Sequence, residues 1–121
     1  MQPAQINVSA LYIVAQRVIP DLIDMAKTDL SSQPAPIVTN SLLPVEPIPQ
    51  LFALSLVKAA QRNLMQSLAM TYVSEGVQVG LITVGGPVSP TAETWSPKNI
   101  AARAWEWFAQ SKTHPAFEVE I

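Results

Sequence analysis

The chain has 121 residues, 49% of them apolar and only 13% charged, with a formal net charge of -2. So apolar a sequence is not disordered, and a single domain over residues 1–121 with one core is the expected organisation. There is no basic run, so nucleic acid is not expected as a partner; there is no cysteine and His114 is the only histidine, so thiolate and multi-histidine metal sites are excluded. Residues 5–26 show helical spacing, with Val8, Leu11, Ala15, Val18, Leu22 and Ala26 recurring every third or fourth position. Pro20 falls inside this run and is expected to kink or interrupt it, since proline removes one backbone donor and crowds the preceding turn.

The polar, proline-containing segment from Lys27 to Pro36 reads as a loop. Ile37 to Leu43, bounded by prolines and β-branched at its start, reads as a buried strand. Pro44, Pro47 and Pro49 then forbid regular structure until about Gln50. A long helix follows from Leu51 to about Glu75, with Ala53, Val57, Ala60, Leu64 and Leu68 as its main stripe and Gly76 as the left-handed residue that closes it. Val77 to Val84 is the clearest strand, apolar enough to be covered on both faces, and Gly85-Gly86 turns the chain after it.

Ser96-Pro97 is a helix start, serine as N-cap and proline at the first helical position. Ile100, Ala101, Ala104, Trp105 and Phe108 form the apolar face of that third helix. After a polar break at Ser111 to Pro115, Phe117, Val119 and Ile121 alternate with Glu118 and Glu120, the pattern of an edge strand with a solvated face. Three strands joined by helices imply an α/β fold: a partial Rossmann-like three-layer sandwich with parallel strands at 37–43, 77–84 and 116–121 and right-handed crossovers. The first two helices are expected on one face of the sheet and the third on the other. The N-terminal stretch has no basic leader, and no run of about 18 apolar residues is present to span a bilayer. A soluble, cytoplasmic protein without membrane partners is therefore expected.

Five stretches taken together resemble the C-terminal half of the short-chain dehydrogenase/reductase (SDR) family. INVSALYIVAQRVIPDL resembles one of its central helices, and IVTNSLL the strand that ends at the family's serine. LSLVKAAQRNLMQSLAMTY resembles the Y-x-x-x-K helix, most closely in members that read S-L-x-x-K-A-A there. VQVGLITVGGPVSP resembles the next strand and turn, and the final helix and strand also fit. The resemblance implies NAD(P)-linked carbonyl or alcohol chemistry, in which a tyrosine moves the proton and a lysine lowers its pKa and holds the nicotinamide ribose.

Carried over by position, the resemblance makes Asn7 the water-supporting asparagine, Ser41 the substrate-orienting serine and Lys58 the lysine. Lys58, Gly86 and Val88 would meet a bound NADP or NAD. The position four residues before Lys58, where the family has its tyrosine, holds Leu54. The family's glycine-rich pyrophosphate loop would precede Met1, and no G-x-G-x-x-G stands in this sequence. The resemblance therefore implies a truncated, nucleotide-half-lacking polypeptide, weak or inactive alone, or else a longer protein with an upstream start. In the family the two long helices form a dimer interface, so a homo-oligomer or pairing with a full-length relative is expected.

The same residues also have plainer readings. Lys58 reaches solvent along its own stem, Ser41 bonds local backbone, Asn7 starts a helix, and Gly85-Gly86 is a simple turn. Tyr72 and the three tryptophans belong to packing, and His114 to a loop. On that alternative the chain is a non-catalytic remnant that acts as an interaction module through its long apolar helices.

Overall fold

The computed structural model describes residues 3–110 and 116–121, with side chains described from residue 7 onward. Met1, His114 and the polar break at 111–115 lie outside the described residues. The elements run α1 (Pro3–Thr28), β1 (Ile37–Ser41), α2 (Phe52–Tyr72), β2 (Gly80–Val84), α3 (Pro97–Ala109) and β3 (Glu118–Glu120). Short 3-10 turns at Pro49–Leu51 and Val73–Glu75 flank α2. The strands pair in the order β1-β2-β3, and both pairings are parallel.

β2 is the centre of the molecule, and its alternation divides the sheet into two faces. Leu81 joins Val77 and Val79 in a core closed by Met65 of α2 and Ile19 of α1. Gly80, one residue away in register, lies under Trp107 of α3: a Cβ at Gly80 would come within 2.6 Å of the indole ring. Successive strand residues point to opposite faces, so α1 and α2 cover one face and α3 the other. The expected three layers are present. Trp107 is itself 3% exposed and donates its indole N–H to the Ala116 carbonyl at 2.6 Å, which ties α3 to the approach to β3.

Local chemistry sets the element ends. Ser96 caps α3 by accepting from the Asn99 amide at 3.2 Å, with Pro97 in the first turn. Gly76 adopts φ 82° after α2 and its amide bonds the Val73 carbonyl, the left-handed closure that glycine allows without strain.

Three sequence expectations are corrected. α1 runs unbroken through Pro20, because proline deletes a single donor in a 26-residue helix whose apolar face is held by α2 and the sheet. β1 ends at Ser41 rather than Leu43: Val45 and Glu46 amides both bond the Leu42 carbonyl, which curls the chain away from the sheet. β1 is also not buried on both faces, since Ile37 and Thr39 are exposed while Asn40 is buried. α3 covers β2 and the approach to β3 and leaves that side of β1 open.

Replacing Trp107 by alanine empties the space over Gly80. The expected cost is about 3–5 kcal/mol of unfolding free energy, the range for deleting a buried large aromatic. Urea denaturation measures it, and a loss below about 1 kcal/mol would show that α3 does not anchor the second face.

Candidate functional site

The carboxyl ends of β1 and β2 open into a groove of about 470 Å³. Such crevices at strand carboxyl ends are where open α/β sheets receive ligands. Ser41 lies at its β1 side and Val84, Gly85 and Gly86 at its β2 side. The loop after β1 supplies Leu43, Glu46 and Ile48. Glu46 is the one charged residue of the lining and is exposed.

Ser41 is placed by register and by its neighbour. It pairs with Val84 across the sheet. Its Oγ accepts the Leu43 amide at 3.3 Å, leaving the hydroxyl proton available to the groove. Asn40, preceding it and facing α2, is 5% exposed and makes two bonds. Its amide Nδ2 donates to the Lys58 carbonyl at 3.0 Å, and its Oδ1 accepts the Ser41 amide at 2.7 Å. This one side chain therefore fixes the end of β1 against the turn of α2 that carries Lys58. Sequence reasoning had singled out Ser41 and Lys58 but not Asn40. A polar residue inside an otherwise apolar strand was the available signal, because a buried amide is found where a specific partner satisfies it.

Lys58 is half-buried on α2, and its ammonium makes no hydrogen bond or ion pair with the described residues. Leu54, one turn before it, is 42% exposed. Asn7 is exposed near the start of α1 and has no bond to Ser41 or Lys58. The structure thus brings Ser41, Gly85 and Gly86 to one groove and ties the Lys58 turn to it through Asn40. It does not join Asn7 to that set.

Gly86 is not a simple hairpin-type turn. Its φ is not positive; instead Trp95 packs its indole against the glycine, where a Cβ would collide with the ring. Trp95 also donates from Nε1 to the Ile121 carbonyl at 2.9 Å, and Gly85 donates its amide to the same oxygen at 3.0 Å. Val88, further along this loop, is exposed. Neither of the two tyrosines lines the Ser41 groove. Tyr12 and Tyr72 both line a separate groove between α1 and α2.

A second polar cluster was missed in the sequence. Glu118 bonds the Thr83 hydroxyl through Oε2 and pairs with Arg62 of α2 at 3.1 Å through Oε1. Arg62 also lies 5.7 Å from the centre of the Phe117 ring. Glu118 is therefore not part of a solvated strand face; Leu81, its partner in register, points to the α2 side and Glu118 points with it. Glu120 is exposed. Among the described residues, no group of three or more His, Asp or Glu side chains is placed to hold a metal ion. No described helix is long and apolar enough to cross a membrane.

No family model and no curated relative matches the chain. Solved structures do. One is a metagenomic short-chain oxidoreductase (SDR) in complex with NADP, with a TM-score of 0.76 and 22% identity over 100% of this chain and 52% of that one. Another is a short-chain dehydrogenase from Rhodopseudomonas palustris, with a TM-score of 0.61 and 19% identity over 79% of this chain and 42% of that one. The chain has the SDR fold, in part. It spans about half the length of the solved structures it matches. At these identities the likeness shows the fold alone.

A double-mutant cycle tests the half-buried ion pair. Arg62→Met alone leaves Glu118 with only Thr83 and should cost about 0.5–1.5 kcal/mol, the net range for a hydrogen-bonded pair that water still partly screens. Adding Glu118→Gln should recover part of that loss, and strictly additive costs would show that the pair is not coupled.

Proposed function

We propose that the chain is the C-terminal half of a short-chain dehydrogenase-type oxidoreductase and carries the substrate side of a NAD(P)(H)-linked carbonyl or alcohol reaction. The observation that carries this reading is the Asn40 bridge. It holds the Ser41 hydroxyl at the groove and the Lys58 turn of α2 in one fixed relation, at the carboxyl edge of a sheet with the SDR fold. The nicotinamide, when bound, supplies or accepts the hydride. Ser41 donates a hydrogen bond to the substrate oxygen and orients it. Lys58, with its ammonium uncommitted among the described residues, suits the ribose hydroxyls.

The residues at hand fit only one end of such a cofactor. The Gly85–Gly86 edge and Lys58 suit the nicotinamide side, with Trp95 behind Gly86. The described residues contain no glycine-rich strand-to-helix turn for a pyrophosphate, so tight binding needs a nucleotide half from elsewhere. The proton donor is also not supplied by a phenol at the usual place, since Leu54 stands there and both tyrosines lie in the other groove.

That last observation favours a second reading, a non-catalytic SDR-like module that associates with a full-length relative or a second copy. Exposed Tyr12, Ile13 and Val14 on α1 and Leu56, Met70 and Val73 on and just after α2 provide apolar surface for it.

Calorimetric titration with NADPH and NADH separates the readings. On the first, the chain alone shows weak or no heat, and binding appears when a longer dehydrogenase chain supplies the nucleotide half. Lys58→Ala should then weaken that binding about tenfold or more, as expected for a lost charge-assisted bond. No heat with either cofactor in any combination would sink the catalytic reading. Sedimentation at tens of micromolar checks the association, since a standard-size interface normally holds there; a monomer throughout would count against the module.

A further inference from the structure

The Ser41 groove is apolar apart from two side chains. Leu42, Leu43, Pro47, Ile48 and Val84 wall it beside the Gly85–Gly86 edge, Ser41 is its one hydroxyl and Glu46 its one charge. Both groups can be reached by a ligand, since Ser41 is half-buried and Glu46 exposed. They also stand on one pinned turn. The Val45 and Glu46 amides bond the Leu42 carbonyl at 3.0 and 2.7 Å, and the Leu43 amide bonds Ser41 Oγ at 3.3 Å. Pro44 and Pro47 restrict the backbone on either side of Glu46. Little backbone freedom is therefore lost at this turn when a ligand meets both groups. The Glu46 carboxylate makes no hydrogen bond or ion pair with the described residues; Lys27, Arg62 and Arg103 pair instead with Glu75, Glu118 and Glu106. An uncompensated carboxylate in the wall of an apolar groove attracts a cation and repels an anion, and the low-dielectric walls focus its field into the groove.

We propose that Glu46 is a specificity-determining residue and that the groove selects a positively charged substrate: an amine-bearing molecule whose oxygen meets Ser41, whose aliphatic spacer lies along the apolar wall and whose ammonium faces Glu46. The proposal rests on the reading of this groove as the substrate site and adds to it the charge of the substrate. The same carboxylate acts against carboxylate- or phosphate-bearing molecules of equal size, so selection comes from repulsion as well as attraction.

The charge preference is read without nicotinamide, so its failure cannot be confused with failure of cofactor binding. The chain is titrated with three ligands of one length, a terminal amino alcohol, the plain primary alcohol and the hydroxy acid, and followed by amide chemical shifts. Shifts should centre on Ser41, Glu46, Val84 and Gly85. Affinity should fall in the order ammonium, neutral, carboxylate, by roughly two- to fivefold at each step, the range of one ion pair that water still screens. The steps should shrink as salt rises to about 1 M, where charges are screened within roughly 3 Å. Glu46→Gln should bring the three affinities together, and Glu46→Lys should reverse their order. Asp21→Asn, the same loss of charge at an exposed position of α1, should change nothing. Equal affinity for the three ligands, no binding by any of them, or an order that Glu46→Lys leaves unchanged would overturn the proposal. Turnover in the presence of nicotinamide and a longer dehydrogenase chain that ignores substrate charge would overturn it too, while keeping the catalytic reading. Charge-ordered binding without turnover would uphold the charge selection and sink the catalytic reading instead.

Discussion

The structure depends on the double burial of β2. One face of this strand meets Met65 and Ile19 through Leu81, and the other receives Trp107 on Gly80. Both contacts follow from the two-residue period of a strand, which sends neighbours to opposite sides. Glycine is needed at position 80 because the tryptophan ring already occupies the place of its side chain. Once β2 is held between α2 and α3, β1 and β3 add to its two edges in parallel, and the carboxyl ends of β1 and β2 come to one side of the sheet. The Ser41 groove is a consequence of that packing rather than of any local sequence signal.

On this frame the polar groups are organised by long-range bonds. Asn40 reaches a carbonyl 18 residues away, and Thr83 meets a carboxylate 35 residues away. Each is a polar side chain on the α2-facing side of the sheet, where an unmet group would be costly. The two bonds of Asn40 set Ser41 relative to the Lys58 turn. The Arg62–Glu118–Thr83 cluster joins α2 to β2 and β3 at the opposite edge. Together they tie α2 to the sheet at both sides.

The groove itself is sparsely polar. It has the Ser41 hydroxyl and a glycine edge backed by the Trp95 indole, and the exposed Glu46 is the one charged residue of its lining. Neither tyrosine lines it. On the function proposed above, the hydroxyl orients a carbonyl or alcohol oxygen and the proton comes from a group other than a tyrosine of this chain.

Much of the fold was legible from the residues alone, because it rests on short-range physics. The helical spacing of α1 and α2, the Ser96 cap and the Gly76 closure each depend on residues within a few positions of one another, and each appears where expected, while the apolar run 77–84 is strand only from Gly80. Ser41 and Lys58 were singled out through the family resemblance, and the structure places them at the end of β1 and on α2. What the tertiary structure decided were the contacts between distant segments. It turned Glu118 inward, because register with Leu81 places it under α2. It put Trp95 against Gly86, so that this glycine answers to packing rather than to a turn angle. It seated both tyrosines between α1 and α2, away from Ser41. A periodicity shows that a residue has a buried side, but only the crossing of the helices over the sheet determines which partner is found there.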